Sequence, residues 1–430
     1  MSNKANKKAC LSITLLILII LGLIFTSIVS GNPVGMDPPP QPLQIYIQND
    51  RTIKPSSAPI QKNGDIYTFT DNILRSSLII QTDNIIIDGA GFLLEGTGDF
   101  PFQNEFNGIS LTNRKNVTIQ NMTIREFGSG IMITSSSEVN IIGSQIFERI
   151  YFRDSCLNCK ILENDLSKVE MYGSNNTIVA NSFILPQRDL LIRGNNNVVS
   201  NNFFEDNLLS IQGNNNVISN NVLEQYGPIT VGPNSHYNIV SKNNGSGLDI
   251  KIRGGSSNNE IEQNTISSAI IGIVILNSFE NLIFNNTVTK CEIGIFLNDV
   301  PPSYELPNST NNLFYRNNLI ENIRDVHVDQ FMEFELQFNF WDNSEEGNYY
   351  GNYNGTDANG DGIGDKSYVI NANNQDRFPL MLPVGSNDYS NELLQSDPFP
   401  TTLAVASIAT IALIGIGIVV YFKRNKKRID

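Results

Sequence analysis

The chain of 430 residues contains only two histidines, four cysteines and one tryptophan. His236 and His327 stand far apart, and neither belongs to a cluster with cysteine or methionine. A copper or zinc centre of the usual nitrogen and sulfur ligands is therefore not expected. Positive charge is scarce as well, with 29 Lys and Arg against 43 Asp and Glu and a net charge of −14. So acidic a chain is a poor partner for nucleic acid or an anionic membrane surface; it suits solvation, divalent cations or high salt. Helical periodicity is missing from the body of the chain, which excludes helical and leucine-rich repeats, since both need a helix in each unit.

What is present is a period. Asparagine pairs five residues apart occur at Asn176/Asn181, Asn197/Asn202, Asn216/Asn221, Asn238/Asn243, Asn259/Asn264 and Asn281/Asn286. Their first members step by 21, 19, 22, 21 and 22 residues. Asn116/Asn121 lies 60 residues upstream of the first, and Asn312/Asn317 follows the last after 31, as if one coil carried the loop Pro301–Thr310. Apolar residues come in runs of two or three between turn residues, which predicts strands of about three residues. A second strand follows in each unit, as in Val169–Met171, Leu190–Ile192, Ile250–Ile252, Ile271–Ile273 and Ile293–Ile295. A unit this short cannot bury its own apolar face and must stack on its neighbours. The expected fold is all-β, a parallel β-helix of about 12 coils that advance about 4.8 Å each. Asparagines stacked at one corner are expected to bond along the rod.

The ends carry different signals. Residues 1–30 read as a signal peptide or an uncleaved signal anchor, with an apolar run Leu11–Ser30 behind Lys4, Lys7 and Lys8. A proline-rich linker (31–43) leads to an N-terminal cap (44–70), the β-helix (71–330) and a C-terminal cap (331–383). A polar stalk (384–401) then joins an apolar stretch, Thr402–Phe422, long enough for a transmembrane helix. The basic tail 423–430 behind it belongs on the cytoplasmic side, which puts the body outside the cell. Without the three N-terminal lysines and the tail the exported part has a charge of −21. Seven N-x-S/T sequons, at Asn116, Asn121, Asn175, Asn244, Asn285, Asn308 and Asn354, permit glycosylation there.

Three places could carry chemistry. Asp357, Asn359, Asp361, Ile363 (through its carbonyl) and Asp365 stand at positions 1, 3, 5, 7 and 9 of a calcium-type loop with Gly362 at position 6. Tyr368 replaces the usual glutamate at position 12, so the site resembles a structural calcium site more than a sensor; the alternative is an acidic turn without an ion. Cys156 and Cys159 fall at a repeat corner, Cys159 in the first asparagine slot and Asn164 in the second, and read as stacked core residues or a local disulfide. Aligned on their terminal glycines, the second strands place Tyr172, Arg193, Gln212 and Arg253 in one outward column. Glu170 and Lys251 fall in another such column, and Asp189 and Asp249 precede it. That face can bind or process a polysaccharide, or it can be a sheet kept soluble by cross-coil charge pairs. The sheet beyond it, Ile271–Leu276 and Ile293–Leu297, is apolar on both sides and expects a cover.

The segment Ile85-Ile86-Ile87-Asp88-Gly89-Ala90-Gly91, followed by Val117–Ile124, resembles the opening coils of the NosD-like proteins. Asn339-Phe340-Trp341-Asp342-Asn343, Gly347–Tyr353 and Asn374-Gln375-Asp376-Arg377-Phe378-Pro379-Leu380 are similar to their ending. The resemblance spans roughly Gln44–Pro383. It implies a right-handed parallel β-helix of the carbohydrate-binding and sugar-hydrolase type, as in archaeal surface proteins with a C-terminal membrane anchor. The family takes its name from a periplasmic copper-binding member. Related alginate epimerases use an acid–histidine motif, and this chain has no D-P-H segment. The expectation is a surface binding or structural module for glycans or other envelope or surface-layer components, with calcium in its C-terminal cap. The alternatives are a polysaccharide lyase, hydrolase or epimerase and, more distantly, copper delivery.

Overall fold

A computed structural model of the protein describes residues 43–98, 106–185, 189–299, 307–329 and 338–385. The segments 1–30 and 402–422, the stalk from 386, and parts of the inserted loop (300–306) and of the C-terminal cap (331–337) lie outside the described residues. Among those described there is no helix, and so none long and apolar enough to cross a membrane.

Strands come in triplets. From Ser76–Ile80, Ile85–Asp88 and Leu93–Glu95 to Ile293–Asn298, Leu313–Tyr315 and Asn318–Ile320 there are eleven complete three-strand coils, with partial coils at either end. Each strand pairs in parallel with its counterpart in the next coil. The third strands alone form a thirteen-stranded sheet from Ile73–Leu74 to Tyr349–Tyr350. Alternation along each strand sends one residue in and the next out, as the burial of Val169–Ser174 and Leu208–Gln212 shows. One inward column runs Ile119, Ile141, Ile161, Ile178, Val199, Ile218, Val240, Ile261, Ile283, Phe314, all with 0 % exposure. Each such side chain contributes about 1.5–3 kcal/mol on burial, which makes the stack the main source of cohesion.

The corners on either side of the second strand repeat one device. The residue before each ladder asparagine takes the left-handed conformation: Asn175 and Ala180, Asn196 and Asn201, Tyr237 and Lys242, Asn258 and Gln263. Asparagine is the commonest residue in that slot, but alanine, lysine, tyrosine and glutamine also occupy it, so the left-handed turn does not require asparagine. The next residue is the one that must be asparagine. Its Oδ1 accepts two bonds from the preceding coil, one from the backbone N–H and one from the Nδ2 of the asparagine there. Asn221 receives both from Asn202 at 3.0 Å and gives its own Nδ2 hydrogens to Asn243 Oδ1 (2.9 Å) and the Val199 carbonyl (3.0 Å). Both ladders are buried from Asn176 and Asn164 onward.

Register corrects one assignment. Asn116 and Asn121 are exposed residues in the left-handed slots, with φ of 53° and 54°, and do not belong to the ladders. The ladder slots of that coil hold Val117 and Met122, those of the next hold Val139 and Ser144, and those of the coil after hold Cys159 and Asn164. Apolar filling thus gives way to asparagine along the rod.

The ends close differently. Near the N-terminus the antiparallel hairpin Ile60–Asn63/Ile66–Phe69 joins the first coils and buries Tyr67 and Phe69. At the other end Trp341 stacks on Phe314 with centroids 4.4 Å apart, and Tyr350 stacks on Tyr368 at 3.7 Å. The last acceptors of the two ladders are Asn374, which receives the Asn339 and Trp341 N–H groups, and Asp376, which receives Asn348. Beside it Arg377 Nε donates to Asp342 Oδ2 at 3.0 Å and latches the cap.

Removal of one rung orphans two buried donors at about 1–3 kcal/mol each. Asn221→Ala should therefore lower stability by about 2–5 kcal/mol, read as a fall in the denaturant midpoint, while the exposed Asn215→Gly changes it little. A second expectation concerns Asp376. Burial, opposed by hydrogen bonds from Asn348 and Phe378, pushes its carboxyl up to about 6. An unfolded aspartate titrates near 3.9, so between about pH 4 and 6 the native state holds a proton that the unfolded state has lost. The contribution of this group to stability is fully present below about pH 4 and is lost as pH rises through 6. Thermal midpoints measured from pH 4 to 7 should show Asp376→Asn gaining on the native protein over that window; a parallel pair of profiles would refute the assignment.

Candidate functional site on the first sheet face

The outward residues of the first strands stack in columns, and the register confirms two of them. Tyr172, Arg193 and Gln212 share one column; Glu170, Leu191, Ser210, Thr230 and Lys251 share another. The same register divides the sequence-predicted face in two. Glu170 and Lys251 are four coils apart, about 19 Å at 4.8 Å per coil. Glu170, Tyr172, Asp189 and Arg193 lie on adjacent coils, whereas Asp249, Lys251 and Arg253 form a separate group.

The first group gains three residues that glycine alignment misses. Ile150–Leu157 carries no glycine, so Arg149 and Tyr151 drop out of that alignment; Lys168 sits just before its strand. Pairing of Tyr151 with Glu170 brings them in. Lys168 Nζ lies 2.8 Å from Glu170 Oε1, and Arg149 Nη1 lies 3.4 Å from Oε2. Arg149 also covers the Tyr151 ring at 4.5 Å, and Tyr151 meets Tyr172 edge-on at 5.9 Å. Arg193 donates to the Tyr172 hydroxyl at 2.7 Å and lies over that ring at 5.1 Å. Burial raises the Glu170 carboxyl, but the hydrogen bonds and charges of Lys168 and Arg149 outweigh it and hold the group below its usual range. Glu170 is therefore an ion-pair partner, not a proton donor at neutral pH.

Asp249 differs. Burial keeps its carboxyl above the usual value despite a 2.8 Å contact with Lys251, and its Oδ1 is buried without a hydrogen-bond partner. Arg253 is exposed at the end of the same strand. Further along, Val274 follows Lys251 in register and is 8 % exposed although it faces outward; Phe296 stacks on His327 at 5.3 Å.

The acidic loop is pinned to the cap. Gly364 N–H donates to the Pro379 carbonyl and Met381 N–H to the Gly362 carbonyl. Asp357 accepts from Gly360 and Gly362, Asp361 from Ile363 N–H and Asn359 Nδ2, and Asp365 from Ala358. Cys156, Cys159 and Cys291 are free thiols buried in the core. The C-x-x-C is thus a pair of stacked core residues and not a disulfide. Burial pushes the Cys159 thiol up to about 12 and raises the other two, which disfavours the thiolate that redox chemistry or metal ligation needs.

This geometry defines a class: a parallel β-helix whose first face bears a cluster of cations and tyrosines on an acidic rod. Residues 190–355 match the family model described as "Periplasmic copper-binding protein (NosD)". Over that stretch, which is less than half of the chain, the protein is similar to the NosD family, and its parallel β-helix starts well ahead of the match. No curated protein matches it. Among solved structures it is similar to PfbA, a surface adhesin of Streptococcus pneumoniae, with 11 % identity over 55 % of this chain and 83 % of that one (TM-score 0.36). It is also similar to a double mutant of the periplasmic alginate epimerase AlgG, with 12 % identity over 66 % and 81 % (TM-score 0.36). Likenesses this distant carry no functional argument.

The copper named by the family description does not fit the residues present. His236 Nδ1 bonds Ser257 at 2.9 Å at a corner, while His327 lies between Arg324 and Asp329 on the first face. The three buried cysteines face inward, and no three His, Cys, Asp or Glu side chains converge among the described residues.

Proposed function

We propose that this protein is a surface-anchored rod that binds acidic glycans or similar envelope polymers through the Arg149–Arg193 cluster. The reading rests on one observation. Arg149 and Arg193 lie over Tyr151 and Tyr172, and Lys168 sits beside them on Glu170, on a chain whose overall charge is −14. Tyrosine faces offer stacking surface to sugar rings, and guanidinium forks match carboxylates. A C-terminal anchor at 402–422, with the body outside the cell, would present that face to extracellular polymers. The enzyme alternative has less support, because Glu170 is tied to two cations and its charged form is the favoured one.

Titration of the full-length protein with a galacturonate oligomer should show binding that weakens with salt. Arg193→Ala and Tyr172→Ala should each weaken it about tenfold, the scale of one hot-spot contact. Equal binding by both variants would remove the site, and the appearance of unsaturated products or new reducing ends would move the protein to the enzyme class.

We also propose calcium in the loop Asp357–Asp365, supported by five oxygen positions at calcium-loop spacing on a segment bonded to the cap. The ion would draw together Asp357, Asp361 and Asp365, whose carboxylates here accept from the loop's own N–H groups. Chelation with EDTA should lower the thermal midpoint and added calcium restore it; an unchanged midpoint would rule the ion out.

A further inference from the structure

The corners between the third and first strands carry no asparagine ladder like those of the other two, and their lengths vary. Two residues (Gln225, Tyr226) connect Val222–Glu224 to Gly227–Val231, and one (Gly247) connects Asn244–Ser246 to Leu248–Arg253. Three residues make each of the next corners, at 268–270, 290–292 and 321–323. Gly247 cannot be replaced by anything larger: its φ is +79°, and a Cβ there would lie 1.8 Å from the Gln225 carbonyl oxygen. The corner of this coil is thus the shortest in the series and carries no side chain.

Tyr226 on one side of that coil and Ile270 on the other line a single open groove of about 350 Å³, which continues past Lys290 and Glu292 to Glu321 and Ile323. The volume falls in the range of small-molecule sites. Three large apolar side chains are left in water here, with Tyr226 68 %, Ile270 58 % and Ile323 86 % exposed. Single exposed apolar residues need no explanation, but three around one groove with a charged rim mark a binding surface. Lys290 Nζ lies 3.8 Å from Glu321 Oε2, and with Glu292 the rim charges sum to one negative. A carboxylate- or phosphate-bearing ligand is disfavoured there. What fits is a molecule with an apolar C–H face for the tyrosine ring and the isoleucines and with hydroxyl groups for the glutamates and the lysine.

The geometry points to a second binding site at this corner, one that takes an uncharged, β-linked oligosaccharide. Its equatorial hydroxyls leave flat C–H faces for Tyr226, and the groove crosses enough coils to hold several rings. This site is chemically opposite to the cationic cluster and does not depend on the reading of that cluster.

The test uses cellotetraose as the neutral probe and a galacturonate tetramer as the charged one, titrated into the full-length protein by calorimetry. Cellotetraose should bind, Tyr226→Ala should weaken it about tenfold, and Glu292→Gln should weaken it less. Tyr226 is exposed, so the thermal midpoint of the variant should match that of the native protein. Arg193→Ala should leave cellotetraose binding unchanged, which separates this site from the cluster. The inference is overturned if cellotetraose does not bind, if Tyr226→Ala binds it equally, or if Arg193→Ala is the variant that abolishes binding.

Discussion

One hydrogen-bond geometry underlies the rod. An asparagine at a coil corner accepts from the backbone and the side chain of the asparagine in the coil before it, and offers both of its own donors to the coil after it and to nearby carbonyls. Each ladder asparagine from Asn164 to Asn317 thereby has its side-chain oxygen and amide group paired in the buried interior. The pattern also has a direction. Each rung needs an acceptor further along, so the last rung needs a residue that accepts without passing the need on. The Asp376 carboxylate fills that role for one ladder, Asn374 ends the other by turning its Nδ2 onto Asn371 Oδ1 nearby, and Arg377 next to them locks the segment to Asp342.

Directionality and closure explain why variation is confined to particular places. The ladder slots must stay in register over every coil, but residues can be inserted ahead of a slot: residues 299–311 precede Asn312, and the rung from Asn281 to Asn312 is still made. The third corner has no ladder slot to hold, and its length is one residue at Gly247, three at 268–270, five at 184–188 and eleven at 96–106. The outward positions of the first face are equally free of the ladder. The Arg149–Arg193 cluster and the groove at Tyr226 both occur where the scaffold leaves the side chain unspecified.

Much of the fold was legible in the sequence, because a ladder rung must recur once per coil and so prints its period on the chain. The slot of Cys159 and Asn164 followed from that period, as did the outward columns through Glu170 and Tyr172. Asn116 and Asn121 misled for a physical reason: the left-handed residue and the rung are adjacent, both accept asparagine, and only pairing register tells them apart. The candidate site was half legible. Terminal glycines align the five consecutive first strands from Val169–Ser174 to Leu248–Arg253, but Ile150–Leu157 before them has a bulge between Phe152 and Cys156 in place of one, which hid Arg149 and Tyr151.

The sequence by itself determined the all-β class, the stacking of short coils and the asparagine ladders, because local alternation and a repeated buried bond are properties of residue order. Only the tertiary structure decided which charges meet. Contacts across coils join residues about 20 positions apart, and a single extra or missing corner residue changes which side chains become neighbours. That is why Lys168, Glu170 and Arg149 form one cluster while Asp249 and Lys251 stand apart from it. It is also why Tyr226, Ile270 and Ile323, far apart in the sequence, line one groove.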